Sequence, residues 1–226
     1  MKTLIGIPCM DTVPTGFMLS LLHLVKGSDV SVYAPMNSLV YDSRNLICLN
    51  AIENNYDRVM WFDSDMMFTP ATMQMLHADL DGKSSMGDDN LTDFHGCDIV
   101  TGLYFQRRPP YSPVIFDQID EPAENADGQL VARVHKHETF PHNTLFPVSG
   151  CGMGCCMTSV KLLKDVWDKF GPAFSPYPWA GEDISFCHRV NQLGYQIWCD
   201  SRITCGHIGQ FIYTEDTYKA KRGDAH

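Results

Sequence analysis

The order of apolar runs and helix-period segments in the first 62 residues constrains this chain more than any other feature. Residues 4–9, LIGIPC, are a short apolar run closed by a turn. Pro14 opens a helical segment in which Met18, Leu21, Leu22 and Val25 recur at helical spacing, and Gly27 closes it. A second strand follows at 30–34, VSVYA, and Ser43 then caps a helix to about Asn54 with Ile47, Cys48, Ala51 and Ile52 inward. RVMWF, 58–62, is apolar on both faces, as a central parallel strand is. Strand, helix, strand, helix, strand over this length predicts an open, doubly wound α/β half. Ligands of such sheets bind beyond the carboxyl ends of the strands, so the residues just after Phe62 are the first place to look for chemistry.

Charge narrows the function classes. The 226 residues carry 17 Lys and Arg against 27 Asp and Glu, a formal charge of −10, which argues against sequence-independent binding to a phosphate backbone. A substrate phosphate held through a metal is still compatible, because a cation bridges acidic side chains and phosphate oxygens. No apolar run approaches the roughly 20 residues that cross a bilayer, and the N-terminus reads as a first strand rather than a signal peptide. Nine cysteines, an odd number scattered through strands and helices, fit reduced thiols and a cytoplasmic location. The spacing of Cys151, Cys155 and Cys156 in CGMGCC matches no zinc pair, so these read as small core residues.

Further along, Thr69 and Pro70 form the N-cap and first position of a helix carrying Met73, Leu76 and Leu80. DGKSSMGDDNLTD, 81–93, reads as a surface loop, and CDIVTGLYF, 97–105, as a strand. A hairpin excursion is expected over 113–148 with NADG, 125–128, at its turn. SVKLLKDVWDKF, 159–170, is a helix with Leu163, Val166, Trp167 and Phe170 inward, stopped by Gly171 and Pro172. DISFCHRVNQLG, 183–194, is the last clear helix, and YQIWC, 195–199, the strand after it.

Three constellations carry candidate chemistry. Asp63-Ser64-Asp65 directly follows the apolar strand; two carboxylates at i and i+2 of an extended strand end point to one side. Their repulsion is relieved by a hard divalent cation such as Mn²⁺ or Mg²⁺, and the rival reading is an Asp-rich turn. Gly181-Glu182-Asp183 either caps a helix or places a carboxylate as a general base beside the aromatic turn Tyr177-Pro178-Trp179. Cys205-Gly206-His207-Ile208-Gly209 offers an imidazole between glycines, a structural histidine or a further metal ligand. His135, His137 and His142 read as a solvated loop rather than a metal site.

Taken in order, the strand and DSD, then GLYFQRRPPYSPV, VSGCGMG, and WAGEDISFCHRVNQLGYQIWCDSRITCGHIG resemble the GT-A glycosyltransferases, and within them the family-2-like group with its short bacterial and phage members. The resemblance covers roughly residues 4 to 210. It implies a single GT-A-type, Rossmann-like α/β domain over 1–210, with a mainly parallel central sheet flanked by helices, and a polar tail over 211–226. It implies an enzyme, hexosyltransferase-like, that moves a sugar from a nucleotide-sugar donor, UDP favoured, to an acceptor hydroxyl with Mn²⁺ or Mg²⁺. Asp63 and Asp65 match the motif that holds the metal and the donor, and His207 matches a third metal ligand. Asp183 matches the general base of inverting members, with Glu182 beside it at the acceptor. Pro8, Arg44, Asn45 and Ser64 fall to the nucleotide and donor, and Gly150, Cys151, Gly152 and Trp179 to the sugar and acceptor.

VSVYAPMNS lacks the Asp with which many relatives read the nucleobase, and a GED does not decide between inversion and retention. The acceptor is open among glycan, protein, small molecule and modified nucleobase, and so is the oligomeric state. Two rivals stand beside this reading: a catalytically inactive nucleotide-sugar or glycan-binding module, and a DxD-type phosphohydrolase. The second wants a Thr or Val where Met67 stands.

Overall fold

The structure, a computed structural model, describes residues 1–83, 94–209 and 212–222. In chain order its elements are β1 (Thr3–Gly6), α1 (Thr15–Val25), β2 (Val30–Tyr33), α2 (Val40–Glu53), β3 (Arg58–Phe62), β4 (Met66–Met67), α3 (Pro70–Leu80) and β5 (Ile99–Leu103). An excursion follows: β6 (Ile115–Ile119), β7 (Ala123–Glu124), β8 (Leu130–Val131) and β9 (Val134–Lys136). The chain then continues through β10 (Leu145–Val148), β11 (Gly150–Cys151), β12 (Cys155–Ser159), α4 (Val160–Phe170), α5 (Glu182–Gln192), β13 (Ile197–Thr204), β14 (Gly206–Ile208), β15 (Ile212–Tyr213) and α6 (Glu215–Arg222).

Seven strands form the central sheet in the order β10-β13-β5-β12-β3-β1-β2. β2, β1, β3, β5 and β13 run one way, and β12 and β10 run against them. The expected mainly parallel central α/β sheet is thus observed, with helices on both faces. RVMWF shows why. Val59 and Trp61 join the core under α2 and α4, while Met60 and Phe62 join the opposite core under α1 and α3, so every residue of the strand past Arg58 is buried. The polar edge of Trp61 is satisfied inside that core by Thr158 Oγ1, 3.0 Å from its indole nitrogen.

Local signals explain most boundaries. Ser159 accepts the Leu162 N–H at 3.0 Å and starts α4. The 125–128 turn forms as expected, Asn125 Oδ1 taking the N–H groups of Asp127 and Gln129 while Gly128 supplies φ +72°. Other expectations are corrected. In α1 it is Phe17, Ser20 and Leu24 that are buried, while Met18 and Leu22 are exposed; the helix is apolar nearly all round, so periodicity could not choose its inner face. Helix α2 starts at Val40, and Ser43, instead of capping it, is buried within it and bonded to Ser38 at 2.6 Å. Helix α5 begins at Glu182, one residue before the expected start, and the strand expected at 195–199 is β13, Ile197–Thr204. Most of the expected 81–93 loop lies outside the described residues.

The segment expected to be a polar tail carries structure over 212–222: β15 pairs with β14, and α6 buries Tyr218 against Phe105 at 5.1 Å between ring centres. Tyr218 also donates its hydroxyl to Glu138 O at 2.8 Å. Among the described residues no helix is long and apolar enough to cross a membrane. All nine cysteines are free thiols.

Candidate active site

The chain turns back immediately after β3. Asp63 N–H is held by Gly154 O at 3.1 Å, and Met66 N–H returns to Asp63 O at 3.2 Å, so DSD occupies a tight turn rather than an extended strand end. The two carboxylates line one cleft but meet different partners. Asp63 Oδ1 meets Arg44 Nη2 at 2.7 Å. Asp65 faces His207, whose Nε2 lies 3.5 Å from Oδ1, and Arg107, whose Nη1 lies 2.7 Å from Oδ2.

A small second sheet, β15-β14-β4, makes that meeting possible. Met66 pairs with His207 and Met67 with Gly206, and Ile208 N–H donates to Asp65 O at 2.7 Å. His207 is further fixed through Nδ1, 2.9 Å from Phe105 O. A carbonyl only accepts, so Nδ1 carries the proton and Nε2 is the atom turned toward Asp65. Burial pushes the Asp65 carboxyl up, but the hydrogen bond and charge of His207 and the Arg107 guanidinium outweigh it and hold it below the ordinary Asp value.

Arg44 is the buried cation of the site, only 3% exposed. Burial disfavours its charge; Asp63, Glu182 and Asp183 together overcome this and keep it protonated. Its Nη1 lies 3.3 Å from Glu182 Oε1, so one guanidinium ties the turn after β3 to the start of α5. Nη1 and Nε are buried without a hydrogen bond, leaving donor capacity beside the cleft. Asp183, next along α5, is pushed above its ordinary value by burial and by the charge of Glu182. Its Oδ1 accepts the N–H of Ile184 at 2.8 Å.

Arg44, Asp63, Asp65, Arg107, Glu182 and His207 open into one cleft of about 460 Å³, and Asp183 is not among its lining residues. Of the residues expected at a site, Pro8, Arg44, Asp63, Ser64, Asp65, Glu182 and His207 line it. The others do not line it, Asp183 in the first turn of α5 among them. Asn45 Oδ1 takes the Phe174 N–H at 2.9 Å. Gly150, Cys151 and Gly152 are buried and do not line the cleft; a Cβ on Gly152 would stand 2.0 Å from the Tyr104 hydroxyl, so only glycine fits. Trp179 stacks on Tyr177 and lines a different groove, about 690 Å³, against the β7–β8 hairpin. His135 and His142 are exposed and paired with Asp120 and Glu215, apart from each other.

Arg107 was missed in the sequence. It follows the carboxyl end of β5, the position at which such sheets also meet ligands, and that position is the signal that points to it.

Among the described residues no three His, Cys, Asp or Glu side chains converge as a group able to hold a metal unaided. The donor set that does converge is Asp65 with His207 Nε2, one carboxylate oxygen and one imidazole. That set fits a Mn²⁺ or Mg²⁺ whose remaining ligands are water and substrate phosphate, the usual way these ions are held in phosphate chemistry. Asp63, engaged by Arg44, stands one turn position away.

No protein-family model and no curated protein matches the sequence. Among solved structures, A197 from STIV superposes with a TM-score of 0.64 over 92% of this chain and 86% of that one, at 20% identity. The likeness is one of fold. A structure of GalNAc-T7 with UDP, GalNAc and Mn²⁺ also matches, at 9% identity and a TM-score of 0.48, over 98% of this chain and 47% of that one.

Proposed function

We propose that this protein is a metal-dependent glycosyltransferase that moves a sugar from a nucleotide-sugar donor, UDP-sugars favoured, to an acceptor hydroxyl. The observation that carries the reading is the single cleft in which Arg44, Asp63, Asp65, Glu182 and His207 meet, from segments far apart in sequence, past the carboxyl end of β3. Asp65 and His207 would hold Mn²⁺ or Mg²⁺ together with the donor diphosphate. The metal, when bound, neutralises the charge that builds on the leaving phosphate. Arg44 is a fixed, charged donor at the same wall, suited to a phosphate or ribose oxygen.

Asp183 is the proposed general base if the reaction inverts. A base acts ionised, and burial with the neighbouring Glu182 raises its pKa, so kcat/KM climbs with pH along a limb lying above the ordinary Asp value of 3.8. Glu182→Gln removes the like charge and moves that limb to lower pH. Asp183→Asn lowers the rate by about 10²–10⁴-fold with donor binding kept. A pH-rate profile that stays put in Glu182→Gln, or wild-type transfer in Asp183→Asn, places the base elsewhere.

The deciding experiment is calorimetric titration of UDP, GDP and their sugar conjugates, each with and without Mn²⁺. UDP or its conjugates binding only when Mn²⁺ is present is the expected result. No binding of any of them with Mn²⁺ present removes the transferase reading.

A further inference from the structure

The two arginines of the cleft are built differently. Arg44 is buried and gripped from two sides by Asp63 and Glu182. Arg107 leaves the loop after β5 with its side chain 46% exposed and reaches Asp65 from the rim. Among the described residues one nitrogen, Nη1, makes its polar contacts, to Asp65 Oδ2 at 2.7 Å and to Ile208 O at 3.2 Å. An ion pair this exposed holds weakly and exchanges readily.

Asp65 is thus claimed twice. Its Oδ1 faces His207 Nε2, the donor pair suited to a divalent cation, while its Oδ2 is held by Arg107. A doubly charged ion on this carboxylate would sit a few ångströms from a guanidinium on the same group. The two repel, and Arg107, the solvent-exposed partner, is the one that leaves. A cation arriving with a diphosphate supplies the place to go, because a planar guanidinium binds phosphate oxygens in a bidentate fork and Arg107 already lines the same cleft.

Resting on the transferase reading above, we propose that Arg107 is an exchangeable counter-ion: it competes with the metal for Asp65 and, once displaced, binds the donor's diphosphate. The device makes metal and nucleotide bind together better than either binds alone. Metal alone must evict Arg107 with nothing to receive it, and nucleotide alone meets the Asp65 carboxylate still exposed to its phosphates.

The test is a titration of Mn²⁺, followed by electron paramagnetic resonance, into wild type, Arg107→Gln and Arg107→Lys, followed by calorimetry of UDP at saturating Mn²⁺. For Arg107→Gln, Mn²⁺ alone binds tighter, by up to about fivefold, the worth of an exposed ion pair. UDP with Mn²⁺ then binds weaker, by about tenfold, the loss of one charge-assisted phosphate contact. Arg107→Lys, keeping the charge, stays near wild type for Mn²⁺. The opposite signs for metal and nucleotide are what a general loosening of the cleft would not give. Mn²⁺ affinity that is unchanged or weaker in Arg107→Gln overturns the proposal, and so does UDP affinity that is unchanged. If no variant and no wild type binds Mn²⁺, the transferase reading fails and takes this inference with it.

Discussion

On the proposed transferase reading, Asp65→Ala is expected to abolish sugar transfer, lowering kcat/KM by about a thousandfold or more, because metal charge stabilisation of a leaving phosphate amounts to several kcal/mol. Asp65 sits where three things meet: the turn after β3, the imidazole of His207 and the rim arginine Arg107. Truncation removes the carboxylate half of the convergent donor pair, and a lone imidazole is a poor site for a hard cation. The backbone contact from Ile208 N–H to Asp65 O does not depend on the side chain, so the fold and the β4–β14 pairing persist. Thermal melting within a few degrees of wild type, with Mn²⁺ binding lost, is the accompanying signature. A variant that still binds Mn²⁺ and still transfers would move the metal away from Asp65.

The second large effect is on stability. Asp79 and Asp200 are fully buried, and Arg202 serves both: Nε and Nη2 meet the two oxygens of Asp200 at 2.8 Å each, and Nη2 lies 3.1 Å from Asp79 Oδ1. The three side chains pin α3 to β13. Arg202→Leu leaves two carboxylates in the core without their shared cation and destabilises the protein by about 3–5 kcal/mol, the usual result of breaking a buried ion pair from one side. Urea unfolding measures it. Adding Asp79→Asn to that variant recovers part of the loss, because an amide needs no counter-charge; a double variant no more stable than the single one would mean Arg202 acts by packing instead.

Much of the fold could be read from residue order, and the reasons are local. RVMWF announced a strand buried on both faces, Thr69-Pro70 a helix start, and Asn125 with Gly128 a tight turn, each through chemistry contained in a few residues. The inner face of α1 was not readable, since Met18 and Leu22 are as apolar as Phe17 and Leu24 and the choice rests on packing against distant residues such as Phe68. At the site, the membership of Asp63, Asp65, Glu182 and His207 was legible from position and type. Their geometry was not. That Asp63 and Asp65 face different partners follows from Gly154 holding Asp63 N–H, a contact no spacing encodes. The placement of Asn45 and Gly152 in packing, and of Arg107 in the cleft, likewise depends on residues distant in the chain.

The β15-β14-β4 sheet has a consequence for how the protein comes into being. Asp65 is in place once the first strands and helices have formed, but its imidazole partner arrives on a strand far along the chain, joined to it by a two-residue ladder and the Ile208 N–H bond to Asp65 O. Pairings so distant close late, after most of the loop entropy has been spent on nearer contacts. During synthesis or refolding, a chain that has its central sheet and gives a native-like far-ultraviolet spectrum still lacks a finished site. Recovery of metal binding should therefore lag behind recovery of secondary structure in a stopped-flow refolding experiment.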